Sequence, residues 1–262
     1  MKNLSAFPFA SALPMALIVA GVIAIKGCFA NASASQLDWL LRPASQLVAF
    51  FSGLSFTYLE GLGYYNGAEE VLIAPACSGL NFFLILLATG WCLAVRCPPP
   101  VRHGWWFLGI AAGAYTFGLA VNTCRILIAI FLYRWQVAWG AFSPLFSPER
   151  IHRLEGVVVY YFCLCLFAML LSKLLQRCRQ RATVLSPASR PPYGWLAAGL
   201  YLLFTLGIPL ANGAATRPAL FIEHGLTVLA LVAGLALAVK VWKYRQSNPH
   251  QFSLNKEEST YP

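Results

Sequence analysis

Six long apolar stretches constrain what this chain of 262 residues can fold into. A helix needs about 20 mostly apolar residues to cross a bilayer, and in lipid its backbone polar groups must be satisfied within the segment. Barrel strands would alternate apolar and polar residues, and these stretches do not. The sequence therefore predicts an all-α, polytopic transmembrane helix bundle of about six to eight spans. The apolar stretches are Pro8–Ile25, Gly79–Val95, Trp105–Leu132, Gly156–Leu171, Trp195–Leu210 and Phe221–Val239.

The charge balance agrees with a membrane protein and argues against a nucleic-acid-binding one. Only 11% of the residues are charged, whereas a soluble domain carries about 25%. The net charge is +10, but the basic residues lie mostly in short segments between the apolar stretches, where they set topology. No patch that combines aromatic and basic residues occurs outside these stretches. The predicted partner is the lipid bilayer, and no nucleic acid is expected.

The distribution of Lys and Arg predicts the orientation in the membrane. We interpret the first apolar run as an uncleaved helix that runs from inside to outside, although Ala32-Ser33-Ala34 resembles a signal-peptide cleavage site. The inner segments then hold twelve of the nineteen basic residues and the outer segments hold six. Arg125, the remaining one, lies inside an apolar run. This is the positive-inside pattern of a multi-pass plasma-membrane protein.

The chain is predicted to have four regions. Residues 1–172 form the main transmembrane region, 173–194 a basic cytoplasmic linker, 195–243 a transmembrane hairpin and 244–262 a polar cytoplasmic tail. Leu37–Leu59 is moderately apolar and either lies along the outer surface or adds a span. Neither alternative changes the orientation of the helices from residue 79 onward.

Cys77 is the first candidate for chemistry. It lies in Pro75-Ala76-Cys77-Ser78-Gly79, immediately before an apolar helix and at the predicted outer face. The positive end of the helix macrodipole favours a thiolate at such a position. The alternative is a capping or packing cysteine, and this segment alone does not distinguish the two.

Two further candidates fall at the same predicted depth. Arg125 lies within an apolar run, one helical turn after Asn122. An ionisable residue there costs on the order of 2.5–3.5 kcal/mol at mid-helix, and such residues mark functional sites. The alternative is an arginine that extends toward the outer headgroups. His152 precedes the next helix, four residues before Gly156. A lone histidine is more often structural, but this one shares its depth with Cys77 and Arg125.

Together these residues predict thiol-based acyl transfer. His152 could accept the proton of the Cys77 thiol, and Arg125 could stabilise the thiolate or the negative charge that develops on a carbonyl oxygen. The sequence contains neither a C-x-x-C pair nor an H-E-x-x-H motif, so no metal or other cofactor is predicted. The aromatic-rich segment Tyr58–Asn66 is a candidate wall of the binding groove.

The order of these motifs resembles the exosortase/archaeosortase family of membrane cysteine transpeptidases and proteases. The resemblance rests on residues 70–172 and on the motifs Ala76-Cys77-Ser78-Gly79, Asn122-x-x-Arg125 and His152-x-x-x-Gly156. Many members have Arg two positions after the motif glycine, where this chain has Asn81. The resemblance implies a triad of Cys77 as nucleophile, Arg125 as stabiliser and His152 as base, with Ser78, Gly79, Asn122 and Gly156 in support.

The resemblance also implies a substrate and a location. The expected substrates are exported proteins that carry a short Pro-Glu-Pro-type motif, a transmembrane helix and a basic tail at the C terminus. Cleavage would proceed through a Cys thioester, followed by transfer to water or to an acceptor such as a lipid or glycan. The enzyme would lie in the bacterial inner membrane with its site facing the exterior or periplasm, and would support protein sorting and exopolysaccharide-associated anchoring at the surface.

Other functions remain open from the residues alone. A transporter would need polar groups at mid-membrane on broken helices, whereas the polar residues here cluster near one face. A membrane thiol oxidoreductase would need a second cysteine near Cys77, for which Cys124 is the candidate. A non-catalytic assembly protein would make the alignment of the three motifs a coincidence.

Overall fold

The computed structural model describes residues 7–96, 104–139, 148–182, 193–211 and 218–247. The chain divides into two compact units, Met1–Pro209 and Leu210–Pro262. The helices are α1 (Phe7–Cys28), α2 (Asp38–Ser52), α3 (Leu80–Val95), α4 (Gly104–Trp139), α5 (Pro148–Ala182), α6 (Tyr193–Leu202), α7 (Ile208–Ala211) and α8 (Pro218–Ser247).

The predicted helical membrane bundle is confirmed. Among the residues that the structure describes, four helices are long and apolar enough to cross a bilayer, within Pro75–Val95, Gly104–Trp135, Ile151–Cys178 and Phe221–Val241. Two shorter apolar helices, Ala12–Cys28 and Trp195–Leu210, fall at the two remaining apolar stretches. The position of each apolar helix therefore follows from the sequence, while the exact number of spans stays a prediction.

Helix α3 lies at the centre of the first unit. It packs against α1, α4, α5 and α6. In the 18-residue apolar segment of each spanning candidate, 72% of the segment with α3 is buried, compared with 39% for α4 and 44% for α5. A helix that is apolar on all sides and surrounded by other helices is typical of a bundle core. Because the chain before α3 is held by this central helix, the position of Cys77 is determined by the core of the bundle.

Helix α2 answers the question left open by Leu37–Leu59. It has 15 residues, fewer than the roughly 17–25 that a span requires. Its buried residues follow helical spacing on one face, Leu40, Leu41, Ala44, Ser45 and Val48, and α2 packs against α4. Gly53 ends it in the left-handed conformation, and its N–H donates to the Ala49 carbonyl (2.9 Å). This stretch therefore forms an amphipathic helix and not a helix of spanning length.

A small antiparallel sheet follows α2, which the sequence analysis did not predict. Its strands are β1 (Thr57–Leu59), β2 (Gly63–Asn66) and β3 (Val71–Ile73), in the order β1-β2-β3. Tyr64 attaches the sheet to α2, because its Oη donates to Asp38 Oδ1 (2.8 Å) and accepts from Arg42 Nε (3.3 Å). Burial, together with the bond to Asp38, raises the pKa of Tyr64. The sheet ends where the chain turns into Cys77.

The predicted division into four regions stays a prediction. Helix α5 continues to Ala182, so the first part of the predicted linker 173–194 is helical. The middle of that linker, residues 183–192, and the tail from residue 248 lie outside the described residues. The predicted hairpin 195–243 contains the boundary between the two compact units, after Pro209.

Candidate active site

Cys77 ends a single 3₁₀ turn, Pro75–Cys77, that precedes α3. Proline at the first position of the turn suits it, because its fixed φ is already helical and it has no N–H to satisfy. The Cys77 N–H donates to the Ala74 carbonyl (2.8 Å). Ser78 is buried, and its Oγ accepts from the Leu80 N–H (3.3 Å) at the start of α3. The thiol is half-buried at the junction of sheet and bundle.

Asn122 holds the Cys77 turn against α4. Its Nδ2 donates to the Cys77 carbonyl oxygen (2.8 Å). This close approach requires glycine at position 79, where φ is +74° and a Cβ atom would lie 2.8 Å from Asn122 Cγ. The Cys77-Ser78-Gly79 motif is therefore shaped to fit one side chain of the next helix.

Arg125 is almost completely buried, with 8% of its surface exposed. Its Nη1 donates to Tyr160 Oη (3.1 Å), and its Nη2 lies 2.6 Å from Nε2 of His152. Nε forms an ion pair with Glu155 Oε2 at 3.7 Å. Gly156 permits this arrangement, since a Cβ atom there would lie 3.0 Å from Arg125 Nε. The guanidinium is thus enclosed by α5.

His152 has a defined tautomer in this arrangement. A guanidinium has only donors, so Nε2 of His152 must accept from Arg125 Nη2 and cannot carry a proton. The ring proton then lies on Nδ1, which is 4.0 Å from Glu155 Oε2. Among the described residues, no hydrogen bond joins the His152 ring to the Cys77 thiol. The two side chains instead line one cavity of about 350 Å³.

Tyr160 and Glu155 are functional candidates that the sequence analysis missed. Tyr160 Oη donates to Asn122 Oδ1 (2.7 Å) and accepts from Arg125, and its ring stacks on Phe82 with centroids 4.4 Å apart. Glu155 is the anionic partner of Arg125, although neither of its oxygens has a hydrogen-bond partner in the described part of the chain. Both could have been found from helical spacing, because Glu155 lies three residues and Tyr160 eight residues after His152, within one side of α5.

The structure therefore brings all seven sequence-predicted residues to one end of the α3–α4–α5 bundle. Asn122 and Tyr160 form a continuous polar connection from the Cys77 carbonyl to Arg125, and Arg125 continues it to His152. Ser78 caps the Leu80 N–H at the start of α3. Gly79 leaves room for Asn122, and Gly156 leaves room for Arg125. Such a cluster can hold a thiol, an imidazole and a positive charge together.

The groove prediction needs a correction. The segment that lines the cavity with Cys77 and His152 is Glu69–Ile73 and not Tyr58–Asn66. Tyr58 and Tyr64 line a separate, larger cavity of about 620 Å³ beside α2. The reason is strand pairing: Tyr58 and Tyr64 are cross-strand partners in β1 and β2, whereas β3 is the strand that leads to Cys77.

Replacing Gly79 by Ala tests the fit between the turn and Asn122. The new Cβ would require both a left-handed backbone and displacement of Asn122, so we expect any activity that depends on Cys77 to fall by about tenfold or more, with a stability loss of about 1–3 kcal/mol. Gly53→Ala is the matched control, because φ is +72° and no atom of the described residues lies within 4 Å of its Cβ position. Thermal stability in detergent measures the strain that both variants share. Equal activity in the two variants would contradict a role for the contact with Asn122.

The comparison with known families identifies the family of this chain. The family model described as transmembrane exosortase matches residues 5–171, so the match extends well upstream of the motifs at 70–172. No match was found among curated proteins or among solved structures. Because the model covers more than half of the chain and includes each of the motif residues, this protein belongs to the transmembrane exosortase family.

Proposed function

We propose that this protein is a membrane-embedded cysteine protease or transpeptidase that cleaves C-terminal sorting signals of exported proteins. The observation that carries the proposal is the connected polar cluster in which Arg125 contacts His152 while Asn122 holds the Cys77 turn. Cys77 and His152 line the same cavity, so the imidazole can come within reach of the thiol, as a nucleophile and its base require. Membership of the transmembrane exosortase family supports the same function.

The reaction begins with activation of the thiol. Nε2 of His152 is engaged by Arg125, so it can accept the Cys77 proton only when that contact loosens. An incoming peptide carbonyl provides the cause, because its oxygen competes for the Nη2 donor. The thiolate then attacks the carbonyl carbon, and the guanidinium stabilises the negative charge on oxygen.

Collapse of the tetrahedral intermediate completes acyl transfer. The C–N bond breaks, His152 returns the proton to the departing amine, and the substrate remains bound to Cys77 as a thioester. Water or an acceptor nucleophile, such as a lipid or glycan amine or hydroxyl, then attacks the thioester and releases the product. We place the site at the extracytoplasmic face of the inner membrane, on the basis of the distribution of basic residues.

Trapping the thioester with hydroxylamine tests the proposal. We expect membranes that contain the protein and a candidate substrate, bearing a motif, a helix and a basic tail, to release the cleaved fragment as a C-terminal hydroxamate. Hydroxylamine is a stronger nucleophile than water toward a thioester, so it should replace the natural acceptor. Mass spectrometry of the fragment identifies the product and the cleaved bond. A transporter or an assembly protein would yield neither fragment nor hydroxamate, and a fragment without hydroxamate would exclude the thioester.

A further inference from the structure

The cavity that contains Cys77 and His152 runs along the edge of a β-strand. Each residue from Glu69 to Ile73 lines it. Side chains on a strand point alternately to opposite faces, so a cavity on one face of β3 would contact every second residue. Contact with three consecutive strand residues places the cavity beside the backbone of β3. Within the described part of the chain, β3 pairs with β2 on its other side.

The backbone groups of Leu72 point to the edge of β3 that borders the cavity. The carbonyl oxygen of Ile73 faces β2, since it is the atom that a Cβ at Gly63 would strike, and Ile73 is the register partner of Tyr64. Backbone groups of successive residues alternate between the two edges of an antiparallel strand. The N–H and C=O of Leu72 therefore face the cavity, where they can bond to another extended chain.

The opposite wall of the cavity is one face of α4. Ile126, Ala129, Ile130 and Tyr133 line it at the spacing of a single helix face. The two walls are held together at one end, because Glu69, just before β3, forms a two-bond ion pair with Arg134 (2.9 and 3.1 Å). This cavity is a groove with one hydrogen-bonding wall and one largely apolar wall.

From these features we propose that the substrate binds as an extended peptide that adds a fourth strand to the sheet, along β3. The inference rests on the proposed function and names how that site holds its substrate. Backbone bonds to Leu72 fix the peptide in register, a known mode of peptide recognition at sheet edges. Side chains of the peptide that face α4 are small or apolar. The scissile bond lies beyond Ile73, where the chain of the protein itself turns to Cys77.

Removing the Leu72 donor tests the strand addition. Leu72→Pro deletes the N–H that faces the groove, and proline is tolerated on an edge strand where no partner needs that donor. The probe is acetyl-tetraalanyl chloromethyl ketone, which alkylates a thiol after its backbone has bound. We measure its rate with Cys77 in full-length protein in membrane vesicles, divided by the rate of iodoacetamide, which needs no groove. We expect this ratio to fall about tenfold in Leu72→Pro.

Two further variants separate the N–H from other effects. Tyr58→Pro makes the same change on the other edge of the sheet, outside this groove. The register partner of Tyr58 is Tyr64, whose backbone groups face β3, so the Tyr58 N–H is not bonded to β2 and faces the outer edge. The ratio should stay at the wild-type value. Leu72→Ala keeps the N–H and removes the side chain, so its decrease should be smaller than that of Leu72→Pro. Iodoacetamide rates that match wild type show that the Cys77 turn is intact.

N-methylation of the probe supplies an independent measurement. Methylating the backbone amide nitrogens of the probe one at a time should lower the ratio at alternate positions only, because every second N–H of an added strand faces β3. A ratio that is unchanged in Leu72→Pro, or equal effects of methylation at all positions, would overturn the strand addition while leaving Cys77 as the nucleophile. A groove that holds a lipid chain would give this result. If neither reagent modified Cys77, the proposed function would fail as well.

Discussion

Replacing Cys77 by Ser will abolish processing of a substrate that carries a C-terminal motif, helix and basic tail. A serine hydroxyl is far less acidic than a thiol, and this site provides one imidazole, already engaged by Arg125, to activate it. We expect a decrease on the order of 10³-fold or more, since removal of a nucleophile removes the covalent pathway. Electrophoretic mobility of the substrate in the native host measures processing, and immunodetection of the variant in the membrane verifies its insertion.

Cys124→Ser is the matched control for Cys77→Ser. Both are free cysteines of the same protein, but Cys124 is exposed on α4 while its neighbour Arg125 is buried. Acyl transfer predicts that Cys124→Ser processes substrate at the wild-type rate, whereas a thiol oxidoreductase would require both cysteines. Full processing by Cys77→Ser would exclude the thioester mechanism and favour a transporter or an assembly protein.

Replacing Arg125 by Met will have the second largest effect, and it will act on activity and stability together. Processing should fall by about 10²–10³-fold, the loss typical for removal of one donor to a developing oxyanion. The variant should also unfold more easily, because Glu155 has 7% of its side chain exposed and Arg125 is its cationic partner. Breaking a buried ion pair by removing one partner costs about 3–5 kcal/mol.

A double variant separates the two effects of Arg125→Met. Adding Glu155→Gln removes the uncompensated carboxylate, so thermal stability in detergent should recover most of the loss. Processing should stay low, because glutamine restores no positive charge to stabilise the negative charge that develops on the substrate's carbonyl oxygen. Arg125→Lys should also process poorly, since one ammonium cannot replace the planar contacts to Tyr160 and His152. Recovery of processing in the double variant would show that Arg125 is only structural.

The membrane bundle and the grouping of the candidate residues could be predicted from the sequence for a local reason. Hydropathy over about 20 residues decides whether a segment can cross a bilayer, so each apolar helix falls at a predicted stretch. A buried arginine within such a stretch is conspicuous, and so is a Cys-Ser-Gly turn before one. Because helix direction alternates along the chain, residues 77, 125 and 152 could be placed at the same end of the bundle without any coordinates.

The contacts among these residues could not be predicted, because they depend on how distant segments pack. Tyr160 meets Asn122 across 38 positions in sequence and Arg125 across 35, and no local pattern encodes such pairs. The short sheet was missed because its strands have only 3, 4 and 3 residues, too few to show the alternation that identifies a strand. The sequence by itself determined a membrane-spanning bundle and a Cys–Arg–His set at one end of it, since hydrophobicity and helix direction act locally. Only the tertiary structure decided that Arg125 binds His152 and Tyr160, and that β3 forms the wall beside Cys77, because these depend on the shapes of helices and strands packed together.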